Sequence, residues 1–336
     1  MSAHIGRGER LPTAHTPLLF YGVLAFCIGI AMYLAGVLLV FPRYLLGLRE
    51  QLDPVAEWLV WYSGFPILTG IAAAVVDLFF LLRHKKPNVP VRFTPVARRK
   101  VTVALTAYND EDSIREAVED FLQHPLVERV IVVSNNSNDR TFKRAQDAGA
   151  ITFNEPAPGY GRCVYRCLSE AAAYEDTEFV VLCEGDRTFR AYDIEKLLAY
   201  APHADVVNGS RTVEPLRQYL TQLSTFMYYG NIFVGKLLEA KHLGRGTITD
   251  VGTTYKLCRR TALLELLPRL NPAVNLEFNA HFLDVTLAGG FVLLECPITF
   301  HARVGVSKGG NVNNWRGFTV GARMIFGLLS NWRRFA

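Results

Sequence analysis

Charge and sulfur are both scarce in this chain. Acidic and basic residues make up 20% of its 336 positions, and the formal net charge is only +5. So small an excess does not argue for a nucleic-acid binder. With half the residues hydrophobic, a disordered chain is excluded too. There are six cysteines, at 27, 163, 167, 183, 258 and 296, which excludes a small disulfide-stapled secreted domain. Cys163 and Cys167 have no second pair or nearby His to complete a zinc set, so buried reduced thiols are expected. No G-x-G-x-x-G directly follows the first strand-like run, and no G-x-x-x-x-G-K-[ST] occurs anywhere. The dinucleotide fingerprint and the P-loop fall away with them.

What is abundant is uninterrupted apolar sequence near the start. Residues 18–41 form 24 positions without a charge, and residues 58–76 form another 19. About 20 such residues cross a bilayer core as a helix, so the spacing predicts a transmembrane hairpin over 18–82 with a short external loop. The first run is too long for a signal-peptide core and lacks a small-residue cleavage site. Aromatics near the run ends, among them Phe20, Phe41, Trp58 and Trp61, suit interfacial belts. Arg7 and Arg10 precede the hairpin, and Arg83, Lys85, Lys86, Arg92, Arg98, Arg99 and Lys100 follow it. The positive-inside bias puts both ends, including a 1–17 tail, in the cytoplasm. Asp77 then falls near the cytoplasmic headgroups, where a carboxylate is tolerated. Residues 83–99, with Pro87, Pro90 and Pro95, read as a basic extended linker.

From about residue 100 the pattern changes to strands alternating with helices. Strands are expected at 101–106, 127–133, 150–153, 179–183 and 204–207, with helices at 113–122, 141–148, 162–174 and 192–200. Asp110 or Asp112 is expected to cap the first of these helices. This is the α/β class: a mostly parallel sheet with helices on both faces, which binds ligands beyond the carboxyl ends of its strands. Three polar clusters fall there: 108–111, 134–140 and 184–186. Glu184 and Asp186, two apart after an apolar strand, can share a divalent cation that in turn holds a diphosphate.

Together these segments resemble the family 2 glycosyltransferases of the GT-A (Rossmann-like) fold, and most closely their polyprenyl-phosphate sugar synthase branch, over roughly 100–310, which implies a catalytic domain at 100–312. Thr106-Ala107-Tyr108-Asn109-Asp110-Glu111 resembles the family's P-x-Y/F-N-E segment without its Pro. Ser134 to Thr141 resembles D-D-x-S-x-D-x-T, with Asn135 and Asn136 in place of acids and Asp139 retained. Glu184-Gly185-Asp186 stands where the family has D-x-D. Asn208-Gly209-Ser210-Arg211 resembles G-S/T-R, and residues 249–257 resemble D-x-x-S-G-F-R. Residues 297–308 resemble P-I-x-F-x-x-R-x-x-G-x-S-K, with one residue fewer between Arg303 and Gly305.

The resemblance implies inverting transfer of a hexosyl group from a nucleotide sugar to a membrane lipid carrier, polyprenyl phosphate foremost. It implies a metal-dependent transferase using Mn²⁺ or Mg²⁺ on Glu184 and Asp186. The implied nucleotide-binding set is Thr106, Tyr108, Asn109, Glu111, Asn135, Asn136, Asp139, Gly185, Arg211, Arg303, Ser307 and Lys308. A phosphate acceptor is already anionic, whereas a lipid hydroxyl needs a base, and Glu277 and Asp250 are the candidates alongside Asp186 at the catalytic centre. His281, four residues after Glu277, reads equally as a packed structural residue. Transfer to a lipid hydroxyl and a non-catalytic membrane scaffold stay open as alternatives. The glycine-bearing loop after Arg303 is expected to close on donor and metal. Residues 313–336 read as a basic amphipathic interface helix, and 224–238 as an apolar stretch too short to span. The expected location is the inner or plasma membrane, multi-pass, with a cytoplasmic catalytic domain. The expected partners are the nucleotide sugar, the lipid acceptor and the bilayer, not nucleic acid; a homo-oligomer stays open.

Overall fold

A computed structural model describes residues 16–85, 91–219, 221–305 and 313–333. The 1–17 tail is thus described only at its end, and Lys86, Pro87, Pro90, Ser307 and Lys308 lie outside the described residues. The chain divides into two compact units.

One unit contains an antiparallel helical hairpin. Helix α1 (Leu18–Leu38) continues through a short α2 (Val40–Leu45), and α3 (Arg49–Val75) continues through a π-helical turn (Val76–Leu81) into α4 (Leu82–Lys85). Both runs are long and apolar enough to cross a membrane, with mean hydropathies of 2.6 and 2.2. Their contact is a seam of small residues at seven-residue spacing. Gly22, Gly29 and Gly36 of α1 are buried, as are Gly70, Ser63 and Ala56 of α3. A Cβ on Gly22 would sit 2.7 Å from the Gly70 carbonyl oxygen, and one on Gly29 would sit 2.8 Å from that of Ser63. Close backbone approach of this kind drives helix pairing where lipid removes the hydrophobic difference. Asp77 is fully buried. One carboxylate oxygen accepts from the Leu19 amide at 2.6 Å, and the other pairs with Lys85 Nζ at 2.5 Å. It thereby satisfies an orphan donor at the start of α1.

The other unit is built on a seven-stranded sheet ordered β3-β2-β1-β4-β6-β5-β7. The strands are β1 (Val101–Ala107), β2 (Val127–Ser134), β3 (Ile151–Asn154), β4 (Phe179–Glu184), β5 (Val206–Ser210), β6 (Lys256–Arg259) and β7 (Leu293–Pro297). All neighbours are parallel except β6, which runs antiparallel to β4 and β5. Every residue of β1 is buried, as expected for a central strand covered on both faces. Helix α5 (Ile114–Leu122) covers it with Ile114, Ala117, Val118 and Phe121, a helical stripe. Helix α7 (Tyr160–Ala172) does the same with Val164, Cys167, Leu168 and Ala171. Helices α6 (Thr141–Asp147), α8 (Asp193–Tyr200) and α10 (Arg260–Leu266) complete the parallel part. Further on, α11 (Phe278–Ala288) is almost wholly buried, while α12 (Asn314–Ser330) is amphipathic. The expected 224–238 stretch is helical, within α9 (Thr225–Lys241).

Two local expectations are corrected. Neither Asp110 nor Asp112 caps α5 through its side chain; the Asp110 carbonyl oxygen accepts from Ile114 at 2.9 Å. The segment before β1 is not a free linker at its end. Arg92 pairs with Asp205, the Thr94 amide donates to the Pro202 carbonyl at 2.7 Å, and the Ala97 and Arg98 amides donate to Glu178. All six cysteines are free.

Candidate active site

The sheet register assembles the site. Ala107 of β1 pairs with Ser134 of β2, and Thr106 pairs with Glu184 of β4. The polar segments that follow these strands therefore emerge side by side. Two further ladder bonds extend the alignment: the Asn135 amide to the Ala107 carbonyl and the Gly185 amide to the Thr106 carbonyl, both 2.9 Å. Gly185 leaves room for the Ile114 side chain, whose Cδ1 would lie 2.5 Å from a Cβ there and would have to move aside. The antiparallel β6 supplies the other side. Leu182 pairs with Lys256, so the residue two before Lys256 arrives beside the residue two after Leu182. Thr254 accordingly donates to Glu184 Oε1 at 2.6 Å.

A cavity of about 1010 Å³ opens at these strand ends. Thr106, Tyr108, Asn135, Asn136, Glu184, Asp186, Arg211 and Arg303 all line it. Asp186 is 1% exposed and accepts from the Thr188 amide and hydroxyl on Oδ1. Burial, and then the neighbouring Glu184 carboxylate, push its carboxyl up to about 6. Arg303 opposes that rise, with Nη1 3.0 Å from Asp186 Oδ2 and Nη2 2.9 Å from Asp110 Oδ1. Burial works against the Arg303 charge, but the three carboxylates of Asp186, Glu184 and Asp110 hold it in place and raise its pKa.

Arg211 and Asp250 form a closed pair. Three hydrogen bonds of 2.7–3.0 Å run from the Arg211 amide, Nε and Nη2 to the carboxylate, and the Gly252 amide adds another. Burial alone would raise Asp250; the guanidinium overrides it and holds the carboxyl below its ordinary value. Glu295 supports this loop from behind, accepting from Thr249 and from the Asp250 amide. As a proton acceptor, Asp250 does not fit: both its oxygens are committed. Glu277 does not line the cavity; it is 1% exposed and lies 3.7 Å from Arg323. His281 Nε2 accepts from the Asn271 amide at 2.8 Å, a structural position.

The nucleotide-binding set divides similarly. Asn109 and Asn136 adopt left-handed backbone at φ 51° and 53°, a conformation Asn tolerates at loop tips. Asn109 accepts from the Asn138 amide, while Asp139 accepts from the Glu111 amide and from Thr141 at the start of α6. Glu111 pairs with Arg140. These three residues tie the two loops together beside the cavity rather than lining it. Asn135 has a definite job for an amide: Nδ2 donates to the Glu155 and Ala157 carbonyls while Oδ1 accepts from the Gly159 amide. A carboxylate could not do both, which accounts for Asn where the family pattern has an acid.

Residues not singled out from the sequence lie beside Glu184 on the cavity wall. Half-buried Tyr160 and buried Thr254 and Asn279 form a hydrogen-bonded group, and Lys256 donates to Asn279 Oδ1 at 3.2 Å. Burial pushes the Lys256 ammonium down to about 7. Burial, and then Glu184, hold the Tyr160 phenol well above its ordinary pKa, so it stays protonated.

Do these residues fit a divalent cation? Thr254 and Tyr160 both reach Glu184 on Oε1, leaving Oε2 out of that group, and buried Asp186 Oδ2 has an ion pair but no hydrogen bond. Two carboxylate oxygens of this kind fit a hard cation that takes its other ligands from phosphate and water. Among the described residues no cluster of three or more His, Cys, Asp or Glu forms a self-sufficient metal cage.

The comparisons with known proteins agree with this geometry. A sequence model of glycosyl transferase family 2 matches residues 102–267. An uncharacterized glycosyltransferase of Mycobacterium tuberculosis is 36% identical over 167 residues, covering 49% of this chain and 70% of that protein. The chain belongs to glycosyl transferase family 2. A dolichyl-phosphate hexose transferase of Haloferax volcanii is 27% identical over 209 residues, 62% of this chain and 86% of the relative. Among solved structures, glucosyl-3-phosphoglycerate synthase from Mycobacterium tuberculosis, in complex with Mn²⁺, uridine diphosphate and phosphoglyceric acid, superposes with a TM-score of 0.52. It is 20% identical, and the match covers 69% of this chain and 78% of that one. The family 2 fold expected from the sequence is thus the fold found.

Proposed function

We propose that this family 2 glycosyltransferase moves a hexosyl group from a nucleotide sugar to a polyprenyl phosphate held in a bilayer. One observation carries the reading: the cavity that begins at Glu184, Asp186 and Arg303 continues between α9 and α12 along an apolar wall. Phe226, Met227, Phe233, Phe318, Met324 and Ile325 line that end. A water-soluble acceptor has no use for such a wall, whereas a lipid chain does. The Haloferax relative is named for a dolichyl-phosphate acceptor, which supports the same class.

The charges favour a phosphate over a hydroxyl. The acids lining the cavity, among the described residues, are Asp110, Glu184 and Asp186. Asp110 and Asp186 are bridged by Arg303, and Glu184 sits at the cation end. No carboxylate is left to deprotonate an alcohol, and an acceptor that is already anionic needs none. A divalent cation on Glu184 and Asp186, Mn²⁺ or Mg²⁺, would offset charge on the departing diphosphate. With a cation taking over Asp186, Arg303 would turn its planar fork to diphosphate oxygens, and Arg211, fixed by Asp250, would present a cation to the cavity wall. Tyr108, Asn136 and Thr106 would face the nucleoside. Attack by the acceptor on the anomeric carbon in a single displacement inverts its configuration. The catalytic domain of 100–312 would be cytoplasmic, with Ser307 and Lys308 as further contacts to the nucleotide. Helix α12, with Trp315 and Phe318 stacked and exposed, would rest in the interface.

Incubating purified enzyme with a panel of UDP- and GDP-hexoses and a membrane lipid extract, followed by mass spectrometry, tests the reading. A hexosylated lipid phosphate, labile in mild acid, is expected. A glycoside on a neutral lipid would shift the reading to the hydroxyl acceptor, and no binding of any donor would point to a scaffold.

A further inference from the structure

Glu184 stands where the family pattern has Asp, and the longer side chain brings an extra rotatable bond to a position that must hold a fixed oxygen. The structure shows what restrains it. Asn279 Nδ2 lies 3.3 Å from the Tyr160 hydroxyl, that hydroxyl lies 2.6 Å from Thr254 Oγ1, and Thr254 Oγ1 lies 2.6 Å from Glu184 Oε1. A hydroxyl has one proton to give. The carboxylate can only accept, so Thr254 donates to Glu184 and must accept from Tyr160; with that proton spent on the 2.6 Å contact, the 3.5 Å approach of the Tyr160 hydroxyl to Glu184 Oε1 is the secondary one. Tyr160 then accepts from Asn279. The Asn279 amide is itself oriented, because its Oδ1 accepts from Lys256 Nζ at 3.2 Å and its Nδ2 also reaches the Gly252 carbonyl. The donors therefore run one way, from Lys256 through Asn279, Tyr160 and Thr254 to Glu184.

We propose that Tyr160, acting through Thr254, is the positioning residue that fixes the Glu184 side chain, so that its second oxygen is presented to the cation and diphosphate. The chain draws on three separate segments. Tyr160 is the first residue of α7, Thr254 precedes β6, Lys256 begins β6 and Asn279 lies in α11. Gly161 beside Tyr160 lets the start of α7 pack closely on the 274 segment, since a Cβ there would come within 1.7 Å of the Val274 carbonyl oxygen. The proposal rests on the transferase reading above.

The test is metal affinity, which a merely structural tyrosine would not set. Mn²⁺ binding to the full chain is followed by electron paramagnetic resonance with UDP, and in parallel with GDP. Tyr160→Phe keeps the ring and removes the hydroxyl. It is expected to weaken Mn²⁺ binding about tenfold, as loss of a residue that orients a metal ligand does, with thermal stability nearly unchanged. The turnover number should recover at high Mn²⁺ while the apparent KM for the metal stays raised. In a Glu184→Asp background the shorter carboxylate cannot reach Thr254, so Tyr160→Phe should then cost less than about twofold. If Glu184→Asp binds no metal, Tyr160→Phe combined with Thr254→Val decides. Members of one chain lose no more together than the worse single variant. Unchanged Mn²⁺ affinity in Tyr160→Phe, or losses that multiply in either cycle, overturns the proposal. A wild-type chain that binds Mn²⁺ with neither nucleotide overturns the transferase reading itself.

Discussion

Asp186 is a carboxylate kept from water, with a like charge two residues away at Glu184 and a guanidinium from Arg303 against it. Replacing it with Asn keeps an acceptor for Thr188 but removes the charge. Asp186→Asn is expected to lower transfer at least about a hundredfold while the circular dichroism spectrum stays the same. Its raised pKa gives a pH signature. Between its ordinary value of 3.8 and about 6, the folded chain holds a proton that the unfolded chain has lost, so this group's contribution to stability falls as pH rises through that window. A cation must displace the same proton. Mn²⁺ affinity, measured by calorimetry, is therefore expected to drop as pH is lowered from about 7 to about 5. The spacing of Glu184 and Asp186 was readable from the chain because a strand end places both without outside help. Tyr160 and Asn279 were not, since each joins the group around Glu184 only after a helix docks from elsewhere. Asn135 was readable as a departure from an acid, but not as a strut, because its three partners lie in the 155–159 loop.

At the level of elements, the parallel strands β1 to β4 and their helices announced themselves by alternating apolar and polar runs. Strand β6 did not. It has four residues, the first of them a buried Lys, and its pairing is settled by β4 and β5 rather than by its own pattern. Helix α12 was legible as amphipathic, but not its anchor. Asn331 and Trp332 both take left-handed backbone and turn the indole back. Its Nε1 donates to Asp284 at 2.8 Å, and its ring packs on His281 and fills the space over Gly327. Trp332→Ala is expected to cost about 3 kcal/mol and to speed hydrogen exchange in α12, while nucleotide binding at the strand ends persists. In the hairpin, the glycine seam leaves no room. Gly29→Leu should destabilise the α1–α3 pair by about 1–3 kcal/mol, read as a lower thermal midpoint in detergent.

For the molecule as a whole, two helices long and apolar enough to cross a membrane precede a domain whose cavity is charged at one end and apolar at the other. Composition and the two long apolar runs suggested the anchor, and the ordered polar clusters suggested the fold. The apolar wall between α9 and α12 needed the structure, because its residues come from segments some 90 positions apart in sequence. The most direct measurement of the central claim uses purified protein reconstituted in vesicles with a nucleotide hexose and Mn²⁺. The vesicles contain either a polyprenyl phosphate or, separately, the matching polyprenol and diacylglycerol. The account predicts a hexosyl phosphodiester from the polyprenyl phosphate alone, with inverted anomeric configuration by nuclear magnetic resonance. Hexose on the polyprenol or diacylglycerol, with the phosphate left unmodified, would contradict it.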